Sequence, residues 1–465
     1  MSPMRSKLTF LPLMLLIISA VDSNRNLPTI AIFGSPLIFY FLLAALIFLF
    51  PTAVVSAELA STNPKHNGIY DWLREAFGEK WGMAAIWLQW MNTIIWLPTI
   101  LSFIAGALAF LFDPALIESK PYMIFSISFI FWGLTLVNLR GIHVSARLNN
   151  WFVLVGTLLP MCFLIYLGIL WLYKGEPVQL SFSSSSVFKP LLQLDGWVAL
   201  VAVMSSFTGM ELATVHMTDV HHPKKLFPLT LGVASLIILG TMLLGSLTIA
   251  GVLPQDKINL AGGIMQVFDQ FFQTFHLGFL IPLMTVLIVL GSIGGLINWI
   301  ISPSKGLLFS AQHGFLPPYF TKLNRRGVAS RVLITQAVLV TLLCALLLIV
   351  PTINSFYWFL TALNTGLYML MYLLMFLAAI RLRKQRKPQN KGWSFSIPGG
   401  SFGLYTTCVF GILGTFLTFF LGFVPPPNID VGPPLRYTLM ILAGNILFIS
   451  PLFLTFLYKK RKSSL

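Results

Sequence analysis

Asp22-Ser23-Asn24-Arg25-Asn26-Leu27-Pro28 interrupts an apolar run that begins at Leu8 and resumes at Ile30. An acid or a base at bilayer depth costs about 2.5–3.5 kcal/mol on insertion scales unless it faces protein or water. Pro28 removes a backbone donor and discourages an unbroken helix. Unwound backbone survives in a membrane only where it lines a cavity or is buried in protein. The stretch therefore predicts a first transmembrane helix broken at its centre, and a broken helix points to a transport site.

The rest of the chain fits that setting. It is 57% hydrophobic and 9% charged over 465 residues, a balance that belongs to a membrane protein. Apolar windows predict twelve spans: 8–33, 36–58, 81–112, 121–139, 151–173, 196–219, 227–252, 279–302, 331–351, 356–380, 402–424 and 435–458. With the N-terminus inside, 24 of the 30 Lys and Arg residues fall in inner segments, five in outer loops, and Arg25 between them. That is the asymmetry the positive-inside rule demands, so both termini are expected in the cytoplasm. The net charge of +16 sits in these loops and forms no separate basic face, which argues against a nucleic-acid partner. Arg5 and Lys7 before Leu8–Ile18 resemble the start of a signal peptide, but resumption of the apolar pattern after Pro28 favours a half-helix. Cys162, Cys344 and Cys408 lie in apolar spans without metal-like spacing and are read as packing residues. The gaps at 253–278 and 303–330 are too short for a soluble core, and 174–195 is a Ser-rich outer loop.

A second interruption falls in the sixth span: Ser205-Ser206-Phe207-Thr208-Gly209-Met210-Glu211, followed by His216 and Asp219. Gly209 weakens a helix at mid-span and lets another group approach the backbone. Interruptions at positions one and six predict two five-helix repeats of opposite topology, about 8–173 and 196–380, with two further helices at 402–458. The expected fold is thus an all-α integral membrane protein of one domain, a 5+5 inverted repeat with broken helices 1 and 6. Half-helix ends at the midplane offer N–H groups to a carboxylate and C=O groups to an ammonium. Those two needs describe an amino acid.

Phe207-Thr208-Gly209-Met210-Glu211 resembles the F-x-G-x-E signature of helix six in amino acid–polyamine–organocation transporters, and most of all the bacterial glutamate/γ-aminobutyrate antiporters. The likeness continues in order through Glu58-Leu59-Ala60, Ile258–Gln266, Trp299, Pro303-Ser304-Lys305-Gly306, Asn324–Val328, Ile397-Pro398-Gly399-Gly400 and Pro426-Pro427-Asn428-Ile429. It implies exchange of amino acids across a bacterial inner membrane. The chain departs from those antiporters in carrying Asp22, Arg25 and Asn26 where they have a tyrosine-rich break, and Gly295 where they can carry a glutamate. It ends at Leu465, just after Lys459–Lys462, so no cytoplasmic gating tail is expected.

The candidate substrate-binding residues are Ser23, Arg25, Asn26, Ser206, Phe207, Gly209 and Trp299; those for proton coupling and gating are Asp22, Glu211 and His216. Arg25 has a planar fork that suits a substrate's side-chain carboxylate, and its alternative is an internal ion pair with Asp22 or Glu211. A carboxyl at the depth of Glu211 changes its proton affinity as water comes and goes; the alternative is a structural hydrogen bond. His216 is the usual proton switch near neutral pH, or a histidine satisfied locally. Trp299 and Phe207 are aromatic gates or packing, Asn364 a candidate for the outer path, and Asn24 has no assigned role. Gly291, Gly294 and Gly295 permit close helix approach. Glu58 marks the inner end of helix two.

No H-E-x-x-H, G-x-S-x-G, CxxC or phosphate loop is present, so neither an enzyme nor a metal or other cofactor is expected. Pore-lining repeats and charge rings, the marks of a channel, are missing too. The remaining alternatives are a proton-coupled amino acid symporter or uniporter of other specificity and, below these, a channel or a membrane sensor. No feature specifies an oligomeric state. A reporter fused after Leu465 is expected to read cytoplasmic and one inserted within 174–195 to read external. Opposite readings would overturn the twelve-span topology.

Overall fold

Ten helices are long and apolar enough to cross a bilayer, and the chain is a multi-pass, all-helical membrane protein with no strand among the described residues. The computed structural model describes residues 9–62, 68–141, 151–212, 214, 220, 223–385 and 395–463. The ten helices coincide with ten of the twelve expected spans. The other two spans, the first and the sixth, are the pair expected to be broken. The first stops at Val21, where the polar break begins, and the sixth runs Asp195–Leu212, bent by 93° from the helix Ser184–Leu192 before it.

The elements in chain order are α1 (Phe10–Val21), α2 (Asn26–Ala31), α3 (Leu37–Ser61), α4 (Ile69–Phe77), α5 (Glu79–Ala109) and α6 (Lys120–Leu139). Then come α7 (Trp151–Tyr173), α8 (Ala199–Ser206), α9 (Pro223–Val252), α10 (Gly263–Thr274) and α11 (Ile281–Gln312). The last are α12 (Ser330–Cys344), α13 (Ile353–Gln385), α14 (Gly400–Leu421) and α15 (Pro434–Ser463).

Two of these helices, α4 and α10, fall in gaps read from the sequence as loops. α10 buries Ile264, Met265, Phe268, Phe271 and Phe272 along one face and leaves Gln270 and Gln273 outside. That is helical periodicity over 12 residues, too short for a search scaled to bilayer thickness. Before α10, Asn259 folds residues 258–263 into a buried hairpin. Its Oδ1 accepts from the N–H groups of Ala261 and Gly262, both at 2.9 Å.

The centre of the bundle is α5 and α13. The apolar stretch of α5 is 89% buried and that of α13 is 72%, against 22% for α15, which faces lipid. A bundle this tight depends on glycine where backbones cross. A side chain on Gly156 would meet the Gly291 nitrogen at 2.4 Å, so α7 and α11 touch backbone to backbone. α7 takes a π-helical turn there, Leu154–Leu158, which loosens its own hydrogen-bond ladder. At the cytoplasm-assigned end, Glu58 of α3 pairs with Arg383 of α13 and accepts from the Ile397 N–H at 2.8 Å, which ties the chain entering α14 to both helices. This agrees with its reading as the end of the second helix.

Gly156→Ala is expected to cost about 1–3 kcal/mol by forcing the α7–α11 crossing apart. Gly133→Ala, with open space around it in α6, should be neutral or slightly stabilising. Melting of the two purified variants in detergent checks this. Equal melting temperatures would remove the close crossing from the account.

Candidate functional site

α1 stops because Asp22 turns into extended backbone (φ −75°, ψ 128°), its own N–H closing the last turn on the Ile18 carbonyl at 2.7 Å. Ser23 and Asn24 hold the gap: their carbonyls accept from Asn26 and Leu27 at 3.0 and 3.3 Å, which starts α2. Pro28 is the third residue of α2, where its missing N–H would have had no partner anyway. The break is thus spelled by residues that compete with the helix ladder, followed by one that tolerates a helix start.

Facing it, α8 ends at Ser206 and the backbone swings through Gly209 at φ +109°. That conformation favours glycine, and space enforces it, since a Cβ there would sit 2.7 Å from the Ala20 carbonyl oxygen of α1. The two interruptions therefore touch. Between them lies a cavity of about 50 Å³, lined at the break by residues 19–26, with Trp96 and Asn92 of α5, Trp299 of α11 and Asn364 of α13 also on its wall.

Arg25 is the dominant charge. It is 4% exposed, and its Nη1 donates to Thr99 Oγ1 at 2.9 Å and to the Tyr357 hydroxyl at 3.3 Å. That hydroxyl donates in turn to the Arg25 carbonyl at 3.3 Å. The guanidinium carbon stands 5.4 Å from the Trp96 ring centre, a cation–π contact. Among the described residues Arg25 has no ion pair. The pairing with Asp22 or Glu211 offered by the sequence is absent because each acid is engaged elsewhere. Asp22 Oδ2 accepts from Thr241 of α9 at 2.9 Å. Glu211 accepts from the hydroxyls of Tyr368 and Tyr372, one on each oxygen.

Of the expected substrate ligands, Ser23, Arg25, Asn26 and Trp299 line this cavity. Ser206, Phe207 and Gly209 do not. Ser206 turns its hydroxyl back to the Val203 carbonyl at 2.6 Å, and Phe207 packs edge-on against Phe41 at 5.8 Å, so Ser205 and Thr208 form the wall instead. Asp22 lines the cavity, while Glu211 lies behind it. The Tyr372 hydroxyl that donates to Glu211 also accepts from the Gly209 N–H at 2.7 Å, so acid and glycine are joined through one phenol. Trp299 stacks with Trp96 at 5.3 Å and meets Tyr368 at 6.3 Å, an aromatic path from the cavity to Glu211. His216 and Asp219 lie outside the described residues.

The sequence reading missed Trp96, Thr99, Tyr357, Tyr368, Tyr372 and Thr241. A signal existed: Asn92, Trp96 and Thr99 are spaced by four and three on α5, and Tyr368 and Tyr372 by four on α13, each set one helical face. Asn92 Nδ2 donates to the Asn364 carbonyl at 3.0 Å, which locks those two helices at the wall.

Comparison with known proteins agrees with this architecture. The amino acid permease family matches residues 8–446. An uncharacterized transporter of Legionella pneumophila is 36% identical over 99% of this chain and 98% of its own length. A glutamate/γ-aminobutyrate antiporter of Lactococcus lactis is 28% identical over 92% of this chain and 86% of its own. A probable agmatine/putrescine antiporter of the same species is 22% identical over 82% of this chain and 80% of its own.

Tyr372→Phe leaves a Glu211 oxygen and the Gly209 N–H without their shared hydroxyl, and should cost about 1–3 kcal/mol of stability. Combined with Glu211→Gln, the loss should fall short of the sum of the single losses by at least ~0.5 kcal/mol, as expected for groups in one network. Additive losses in a melting experiment would argue against the clasp.

Proposed function

The chain belongs to the amino acid permease family, and from that premise we propose that it exchanges acidic or related amino acids, such as glutamate and γ-aminobutyrate, by alternating access. The observation that carries the reading is Arg25: a buried guanidinium at the break, facing a cavity and held, among the described residues, only by neutral partners. A cation kept at bilayer depth without a counter-charge has a use for an anionic ligand, and a guanidinium fork receives a carboxylate on two bonds. The neutral hydroxyls of Thr99 and Tyr357 orient the fork without neutralising it. The printed name of the Lactococcus glutamate/γ-aminobutyrate antiporter supports the same substrate class.

Ser23 and Asn26 serve as polar neighbours of the substrate, and Trp96 with Trp299 form its apolar wall. Glu211 acts one layer back. It holds the start of the second break through Tyr372 and Gly209, so an arriving substrate that shifts Trp299 and Tyr368 changes the clasp. Only an interaction that differs between the two open states can bias which one is favoured, and this clasp spans α8 and α13. The asymmetry of basic residues supports a seat in a bacterial inner membrane with both termini cytoplasmic. The two interruptions support reading 8–173 and 196–380 as inverted repeats.

The test is counterflow in liposomes preloaded with glutamate, since only a carrier trades internal for external label. Arg25→Ala is expected to lower exchange of glutamate and γ-aminobutyrate about tenfold to a hundredfold, the worth of one charge-assisted bond, and that of neutral α-amino acids less. Arg25→Lys should rescue poorly, because an ammonium keeps the charge without the fork. Equal loss for all substrates would make Arg25 a structural residue.

A further inference from the structure

Three polar residues of the break, at positions 22, 24 and 25, each carry a buried side-chain atom without a partner, and all three line the cavity. The atoms are Asp22 Oδ1, Asn24 Oδ1 and Arg25 Nε. The first two are acceptors and the third is a donor. Asp22 is 4% exposed and Asn24 3%, so bulk water does not serve them. Both side chains are held by their other ends. Thr241 donates to Asp22 Oδ2 at 2.9 Å, and Asn24 Nδ2 donates to the Gly156 carbonyl at 3.1 Å. Gly156 sits in the π-helical turn of α7, the irregularity that leaves a carbonyl available. With the nitrogen of Asn24 committed to α7, its oxygen is the atom left bare.

These acceptors lie just past the C-terminal end of α1, where unpaired carbonyls give the helix its partial negative charge. Asp22 has no ion pair among the described residues, and neither has Arg25 three residues on. The break thus presents one acid and one base, each buried and neither in an ion pair among the described residues. A ligand with a single charge would leave one of them unpaired. A zwitterion whose charges are separated would meet both.

We propose that Asp22 Oδ1 and Asn24 Oδ1 form the subsite for the substrate's ammonium group, opposite the carboxylate held by Arg25. An ammonium brings three donors, enough for both bare oxygens and one carbonyl at the end of α1. The subsite deepens the exchange reading above, because it uses the same cavity. It also gives Asn24 a role, as the residue that distinguishes an amine from its deaminated analogue. Thr241 is a positioning residue that fixes the Asp22 carboxylate.

The test is binding to the purified full-length chain in nanodiscs, with γ-aminobutyrate, glutamate, glutarate (glutamate without its ammonium) and putrescine as probes. Asn24→Ala and Asp22→Asn are expected to weaken γ-aminobutyrate and glutamate at least tenfold, while glutarate binds unchanged or, in Asp22→Asn, more tightly. Asn24→Asp should keep or improve binding of the amines. Ligand-free melting of each variant verifies folding, and Asn24→Ala alone suffices should Asp22→Asn fail to fold. Equal loss for glutarate and glutamate would overturn the proposal. So would sodium chloride, against choline chloride, stabilising the wild type but not Asp22→Asn, since the bare oxygens would then hold an alkali ion. Putrescine separates this proposal from the exchange reading. Putrescine binding lost in both variants upholds the subsite even if no glutamate is exchanged. Glutamate exchange that survives both substitutions overturns the subsite and leaves exchange standing.

Discussion

An acid and a base are buried three residues apart in the first helix break, and they form no ion pair with each other. Asp22 turns toward α9 and takes Thr241; Arg25 turns toward α5 and α13 and takes Thr99 and Tyr357. In a bilayer such groups persist only inside protein, among donors and acceptors that accept the field without cancelling it. Three helices far apart in sequence, α5, α9 and α13, each supply a hydroxyl to the break. The cavity lies at the break, walled by residues of α5, α7, α8, α11 and α13.

Backbone contact does the rest of the assembly. Gly209 meets Ala20 where the two broken segments face, Gly156 meets Gly291 where α7 crosses α11, and Gly263 packs on Pro28 beside α2. Each contact is closed to any side chain. Lipid offers helices little hydrophobic reason to associate, so close backbone approach and interhelical hydrogen bonds carry the packing. Two of these contacts adjoin the cavity, whose wall includes Ala20 and Gly291.

The cavity and Glu211 communicate through rings. Trp96, Trp299, Tyr368 and Tyr372 follow one another at centre distances of 5.3, 6.3 and 5.0 Å, and the last two reach both oxygens of Glu211. The acid thus stands apart from the cavity but not isolated from it. Trp299 adjoins Tyr368, Tyr368 adjoins Tyr372, and the Tyr372 hydroxyl accepts from the Gly209 N–H.

Much of this was legible in residues alone. The apolar windows, the loop lysines and arginines, the polar runs at Asp22–Asn26 and Ser205–Glu211 and the quoted motifs determine an all-helical membrane protein of the permease kind with interrupted first and sixth spans. Those features depend on composition and local order, which a bilayer reads directly. Partner choice was not legible. That Arg25 meets Thr99 and Tyr357 instead of Asp22, that Glu211 lies behind the cavity on two tyrosines, and that Ser205 and Thr208 replace Ser206 and Phe207 at the wall were decided by the tertiary structure. So was the use of Asn24, whose nitrogen finds a carbonyl 132 residues away. A turn of about 100° per residue separates neighbours on a helix, and only the packed bundle sets which of them faces the cavity.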